Sequence, residues 1–327
     1  MENAPMQIKC WGTRGSLPSP MTKSQFIKRL HDFKAVADKR GIVSTDKFLE
    51  LLESETELGP LCYGGNTTCT EVRHKDLSIY IDMGSGLRSA STEAMKSGQK
   101  VFHIFQTHMH WDHIMGMPYL IPIYSKNSTI NIYHVHKNAP EALRINFNGT
   151  NFPLKWDQLE ADIQFHQLTL YQGTKIEDLK ITPFTLDHPG GCFGYHIQSS
   201  DRRIAIGVDG EFKRQTSEQL GKDRPFYQDL DALVFDAQYE IDELASRHDW
   251  GHSSPNIGVD IALRERIKKL VLTHHDPWAN EDRLLRMYQT AVAHCDKKWP
   301  SHQNAWKDFG SKAPEVIMAY DGLTIDL

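Results

Sequence analysis

The chain has 327 residues, 39% of them hydrophobic and 24% charged, with a formal net charge of −5. That length buries a sizeable core, which sets disorder aside; the charge argues against a surface that holds duplex nucleic acid mainly by neutralising phosphates, so a small substrate is expected and stable nucleic-acid binding is not. No apolar run approaches the ~20 residues needed to span a bilayer, and the start MENAPMQIKCWG lacks the basic and apolar regions of a signal peptide, which predicts a cytoplasmic protein.

In chain order, the first strand is expected at residues 7–11. Residues 17–61 follow as a helical insertion, with two apolar stripes at helical spacing (Phe26, Ile27, Leu30 and Phe33, then Phe48, Leu49, Leu51 and Leu52) separated by Arg40-Gly41 and a Ser44/Thr45 cap. The insertion reads equally as a lid over an active-site mouth and as a helix pair on a sheet edge. β-Branched and apolar runs then predict strands at 68–73, 78–82, 101–107, 130–134, 163–168, 179–185, 193–198, 203–208, 232–236, 270–273 and 315–318, with helices at about 255–269 and 280–294. No internal repeat appears, and the whole of 1–327 reads as a single α/β domain. Five cysteines without a C-x-x-C pair imply neither a complete disulfide framework nor a zinc ribbon.

The strongest chemical signal is Thr107-His-Met-His-Trp-Asp-His113, which follows a buried run. On a tight loop after a strand, His108 and His110 can project towards one ion while Asp112 and His113 address a second. Two ions ~4 Å apart can hold a hydroxide between them near neutral pH, which is a reason to cluster so many ligands.

These residues match the signature H-x-H-x-D-H, and the sequence resembles the metallo-β-lactamase superfamily from about residue 7 to residue 275. The resemblance implies an αββα sandwich. It also implies that Asp82 in Ile79-Tyr-Ile-Asp-Met83 supports the ligand loop, that His188 completes the first ion's set, that Asp209 bridges the ions, and that His274 binds the second. His275 competes with His274, which is preferred because it directly follows its strand. Asp187 is expected to orient His188.

The superfamily hosts several chemistries on one scaffold, so the site must choose among them. Oxygen-reducing relatives generally replace a histidine of the first pair with a carboxylate, and typical lactam hydrolases lack the aspartate supplied here by Asp209. The segment Asp249-Trp-Gly-His-Ser-Ser254, preceded by Asp236 at a strand end, looks like the phosphodiesterase and tRNA 3′-processing branch. Carried over, His252 is an extra catalytic histidine and Asp236 its orienting partner. An alkoxide leaves poorly at neutral pH, and an imidazolium held by a carboxylate can protonate it. Gly12-Thr-Arg-Gly-Ser16 and Tyr63-Gly-Gly-Asn-Thr67 resemble the subgroup acting on small and cyclic-nucleotide substrates. Asn66 or Arg14 could meet a phosphate there, although Arg14 reads equally as a buried ion pair. Trp111, Phe152 and Trp250 could stack on a base or simply pack.

The expected protein is a dinuclear metal hydrolase that cleaves a cyclic nucleotide or other small phosphodiester, with Asp112 and Asp209 positioning the attacking hydroxide and His252 with Asp236 assisting the leaving oxygen. Zinc is the first choice of divalent ion, manganese or iron the next. The alternatives are a tRNA 3′-endonuclease, against which no Gly/Pro-rich basic arm is found, and a thioesterase or lactonase. A homodimer is compatible with the branch resembled.

Overall fold

The computed structural model describes residues 6–54, 57–214, 216–310 and 312–327. One sheet contains β1 (Gln7–Gly12), β2 (Cys69–His74), β3 (Leu77–Ile81), β4 (Val101–Gln106), β5 (Thr129–His134), β6 (Asp162–Gln167) and the late β14 (Thr324–Asp326); its order is β14-β1-β2-β3-β4-β5-β6. The other contains β7 (Thr174–Ile176), β8 (Leu179–Leu186), β9 (Cys192–Gln198), β10 (Arg203–Gly207), β11 (Ala232–Asp236), β12 (Lys269–Thr273) and β13 (Glu315–Met318), ordered β13-β12-β11-β10-β9-β8-β7. Both sheets are mixed: β3 to β6 and β10 to β13 run parallel, and the rest pair antiparallel.

Side-chain alternation assigns the layers. Ile79 and Ile81 of β3, Ile204 and Ile206 of β10, Val234 of β11 and Val271 of β12 meet in one core between the sheets. The alternate residues Leu233, Phe235, Leu270 and Leu272 turn outward onto the helices α7 (Pro255–Glu265) and α8 (Glu281–His302). Tyr80, Phe102 and Ile104 turn outward from the first sheet onto α3 (Leu87–Ser97). Strands buried on both faces are the reason these runs read as continuously apolar. The result is the expected αββα sandwich.

The N-terminal helices are present as α1 (Lys23–Lys39) and α2 (Thr45–Glu53). Thr22 and Gln25 form a capping box on α1, whereas Ser44 sits at the N-cap of α2 without a side-chain cap bond. Their buried face differs from the expected one: Phe26, Ile27 and Leu49 are exposed, and the small core is Phe33, Val36, Ala37 and Leu51. Arg29 causes the rotation. Its guanidinium is buried against the carbonyls of Leu58 and Pro60, which turns the Arg29–Phe33–Val36 stripe inward. Residues 55 and 56 of the expected insertion lie outside the described residues.

Two helices have corrected ends. Arg266, in the left-handed region at φ 59°, stops α7 at Glu265, and α8 runs on to His302 because buried Cys295 continues its apolar stripe past residue 294. No helix among the described residues is long and apolar enough to cross a membrane.

Candidate metal centre

The ends of β3, β4, β8, β10, β11 and β12 converge, and each delivers a polar residue from the turn that follows or from its last position. Three of these residues, Asp82, Asp209 and His274, adopt positive φ (66°, 60° and 62°). Side chains other than glycine pay for that conformation with roughly 1–3 kcal/mol each, a strain typical of functional turns.

Asp82 anchors the ligand loop. Its carboxylate, fully buried, accepts from the Thr107 N–H at 2.9 Å, the Gln106 amide at 2.9 Å and His113 Nδ1 at 2.7 Å. Burial pushes the Asp82 carboxyl up from its ordinary range, and His113 and Thr107 pull it part of the way back. The short helix α4 (Trp111–Ile114) then presents Asp112 and His113 inward.

Two groups of ligand atoms result, each with its members within 4.8 Å of one another: His108, His110, His188 and Asp209, and Asp112, His113, Asp209 and His274. Asp209 belongs to both, with Oδ2 3.6 Å from His108 Nε2 and Oδ1 2.9 Å from His274 Nε2. The outward ring nitrogens meet acceptors: His113 Nδ1 faces Asp82, His188 Nδ1 the Gly251 carbonyl at 2.9 Å, and His274 Nδ1 the Gln238 amide oxygen at 2.9 Å. A carbonyl or carboxylate only accepts, so these nitrogens carry the protons and the Nε2 lone pairs point inward. There they face one another: His188 Nε2 is 3.1 Å from His110 Nδ1, and His274 Nε2 is 3.4 Å from His113 Nε2. His108 Nε2 is buried with no hydrogen-bond partner among the described residues. Converging lone pairs around a shared carboxylate fit two cations.

The electrostatics agree. Burial holds His108, His110 and His188 below the usual imidazole range, so they are neutral donors of electron pairs. In the second group burial also disfavours charge on His274, but Asp209 foremost and then Asp112 overcome it and push the imidazole up to about 10. The carboxylates there call for positive charge, which a bound cation would supply.

Next to the second group stands His252, whose Nδ1–H donates to Asp236 at 2.8 Å. Its ring stacks on His274 at 5.0 Å and meets His188 edge-on at 5.5 Å, which leaves Nε2 as the ring nitrogen able to reach a substrate. Asp236 also accepts from the backbone N–H groups of Asp209 (3.1 Å), Gln238 (3.2 Å) and Ser253 (3.2 Å), so one buried carboxylate ties the shared ligand to the His252 loop.

The remaining candidates take the following positions, and for Asp187 the expectation is corrected. Arg14 is 3% exposed, pairs with Glu281 at 3.9 Å and donates to the carbonyls of Gly64, Asp276 and Ala279, which is the buried ion pair that was one of its two readings. Asp187 receives Arg214 at 3.0 Å and does not orient His188, a role taken by the Gly251 carbonyl. His275 turns away to the Ala319 carbonyl. Asn66 is half-buried and donates to Asp321, while Trp250 is 57% exposed under Arg247.

Other supports come from residues that the sequence motifs did not single out. The Ser16 N–H donates to Asp112 at 2.7 Å, and Glu211 accepts from the Asp249 N–H at 3.0 Å, fixing the loop that carries Gly251 and His252. Gly251, at φ 85°, has no room for a side chain: a Cβ there would lie 2.0 Å from His188 Nδ1. The G-E of Val208-Asp-Gly-Glu211 and the G of Trp250-Gly-His252 were the signals to read.

Residues 78–275 match the profile of a family described as "Beta-lactamase superfamily domain". The chain is 26% identical over 263 residues to ribonuclease Z of Lactiplantibacillus plantarum, covering 64% of this chain and 81% of that protein. To ribonuclease BN of Cronobacter sakazakii it is 24% identical over 277 residues, covering 70% and 86%. Its fold resembles the metallo-beta-lactamase fold protein YhfI from Bacillus subtilis at a TM-score of 0.64 and 16% identity, over 99% of this chain and 100% of that one.

Proposed function

The chain belongs to the metallo-β-lactamase superfamily and carries its His/Asp metal site, which makes it a metal-dependent hydrolase, and from that premise we propose that the bond it cuts is a phosphodiester. The observation that carries the reading is the His252–Asp236 pair at 2.8 Å, stacked against the ligand His274. Thioester hydrolysis expels a thiolate, which needs no such acid beside the metal ligands, whereas an alkoxide leaving from phosphorus does.

The residues divide the work by position. His108, His110 and His188 would hold one divalent ion and Asp112, His113 and His274 the other, with Asp209 within reach of both. Two bound ions supply positive charge for the phosphoryl oxygens and an acidified water as nucleophile. His252 Nε2 delivers a proton to the leaving oxygen. Asp236 keeps the imidazole in the tautomer and orientation for this and stabilises its charged form. Zinc suits the nitrogen-rich first set, and the carboxylate-rich second also accepts manganese or iron.

On substrate, the named relatives are ribonucleases Z and BN, which supports an RNA 3′-end phosphodiester more than the small cyclic one expected from the sequence. The net charge of −5 is what still favours a small substrate. A panel of a 3′-extended tRNA, 2′,3′- and 3′,5′-cyclic nucleotides, a thioester and a lactone, given to zinc- and manganese-loaded protein, tests both levels. Cleavage of any phosphodiester, lost in His252→Ala, supports the reading and ranks the substrates. Turnover of the thioester or lactone alone, indifferent to His252, overturns it.

A further inference from the structure

Trp111 stands between the ligands His110 and Asp112, yet its indole is 72% exposed. On α4 the two inward residues, Asp112 and His113, face the metal ligands, while Trp111 and Ile114 face the other way and line a cavity of about 420 Å³. Small-molecule pockets span about 300–1,000 Å³. The cavity is attached to the metal centre at a second place: Ser16 binds Asp112, and Pro18 forms part of the cavity wall.

Its lining has three chemical parts. Trp111, Tyr119 and Phe152 give flat apolar surface, with Tyr119 and Phe152 edge-to-face at 6.1 Å. Asn146 Nδ2 is buried and has no hydrogen-bond partner among the described residues, a position that asks for an acceptor from outside the chain. Arg88 is exposed on the cavity and pairs with no carboxylate among the described residues, so its guanidinium is available to an anion. A flat ring, an acceptor on its edge and an attached anion together describe a nucleotide. Stacking on aromatic side chains with one arginine for the backbone is the usual chemistry for unpaired nucleotides.

We propose that this cavity is a nucleotide subsite, which takes the base and phosphate of the nucleotide adjoining the scissile bond. The proposal rests on the phosphodiesterase reading and narrows its substrate to nucleotide esters.

The test is calorimetric titration of the chelator-treated full chain with adenosine 5′-monophosphate, adenosine and ribose 5-phosphate. The nucleotide should bind about tenfold or more tighter than ribose 5-phosphate. Phe152→Ala and Asn146→Ala should each weaken it about fivefold or more, within the range of one lost base contact. Arg88→Ala, a surface change that keeps the test valid if a cavity variant misfolds, should weaken the nucleotide and leave adenosine unchanged. Equal binding of the nucleotide and ribose 5-phosphate, or affinities untouched by all three variants, overturns the proposal. So does binding of an apolar dye in the cavity with no binding of the nucleotide. No metal or turnover enters this titration, so it separates from hydrolysis of bis(p-nitrophenyl) phosphate by the metal-loaded protein. Hydrolysis without nucleotide binding sinks the subsite alone, and nucleotide binding without hydrolysis sinks the phosphodiesterase reading.

Discussion

His252→Ala should make the rate depend on how poor the leaving group is. The substitution removes the imidazole that receives 2.8 Å support from Asp236, while Asp236 keeps its three backbone donors at 3.1, 3.2 and 3.2 Å, so the metal ligands stay in place. A positioned general acid contributes about 10²- to 10⁴-fold, or roughly 3–5 kcal/mol of barrier. That contribution is needed when an alkoxide departs and is largely spared when p-nitrophenolate does, because the phenolate is stable without a proton. The assay compares kcat for thymidine 5′-(p-nitrophenyl phosphate) and for the corresponding methyl ester, with metal content measured on the same samples. The expected result is a loss of 10²- to 10⁴-fold on the methyl ester, under about tenfold on the p-nitrophenyl ester, and two ions retained per chain. Equal losses on both esters would refute an acid role for His252, and a loss that simply follows missing metal would make it a structural residue.

Gly251→Ala should displace His188, whose Nδ1 would lie 2.0 Å from the new Cβ, and metal analysis should show one of the two ions lost preferentially. Asp82→Ala strands the buried donors on Thr107, Gln106 and His113, so metal affinity measured by chelator competition should fall about 10–100-fold. Ile206→Ala opens a void between the sheets and should cost about 2–5 kcal/mol in urea unfolding with little change in KM. His196 gives a pH signature: burial first, then Arg203 and Lys180, hold it down at about 4, while the unfolded chain takes up the proton near pH 6.5. Its contribution is therefore present above pH 6.5 and lost as pH falls to about 4, worth roughly 3 kcal/mol. In His196→Gln the urea midpoint should fall less across that window than in the unsubstituted protein, and an identical fall would contradict this assignment.

The sequence carried the fold where apolar runs were long and bounded. The short β7 and β14, of three residues each, gave too little pattern to see, and they exist because neighbouring strands offer them a ladder. The helix α3, Leu-Arg-Ser-Ala-Ser-Thr-Glu-Ala-Met-Lys-Ser, is rich in serine and threonine and has only Leu87, Ala90 and Ala94 as an apolar stripe, so periodicity was faint. At the site, His108, His110, Asp112 and His113 declared themselves by spacing, and the family resemblance they carry, with placement after strands, pointed to Asp82, His188, Asp209, Asp236 and His274. What sequence could not show is support by backbone atoms: the Gly251 carbonyl on His188 and the Ser16 N–H on Asp112 depend on where distant loops return. Asp187 shows the converse, since this charged neighbour of His188 was claimed by Arg214 in the fold.

The most direct test of the central claim is the initial rate of bis(p-nitrophenyl) phosphate hydrolysis by chelator-treated protein as zinc or manganese is added stepwise, with Asp112→Ala alongside. A dinuclear phosphodiesterase should gain rate up to the second equivalent and then level off, and the Asp112→Ala protein should stay near background. Full activity at one equivalent, or two bound ions with no phosphodiester cleaved, would contradict it.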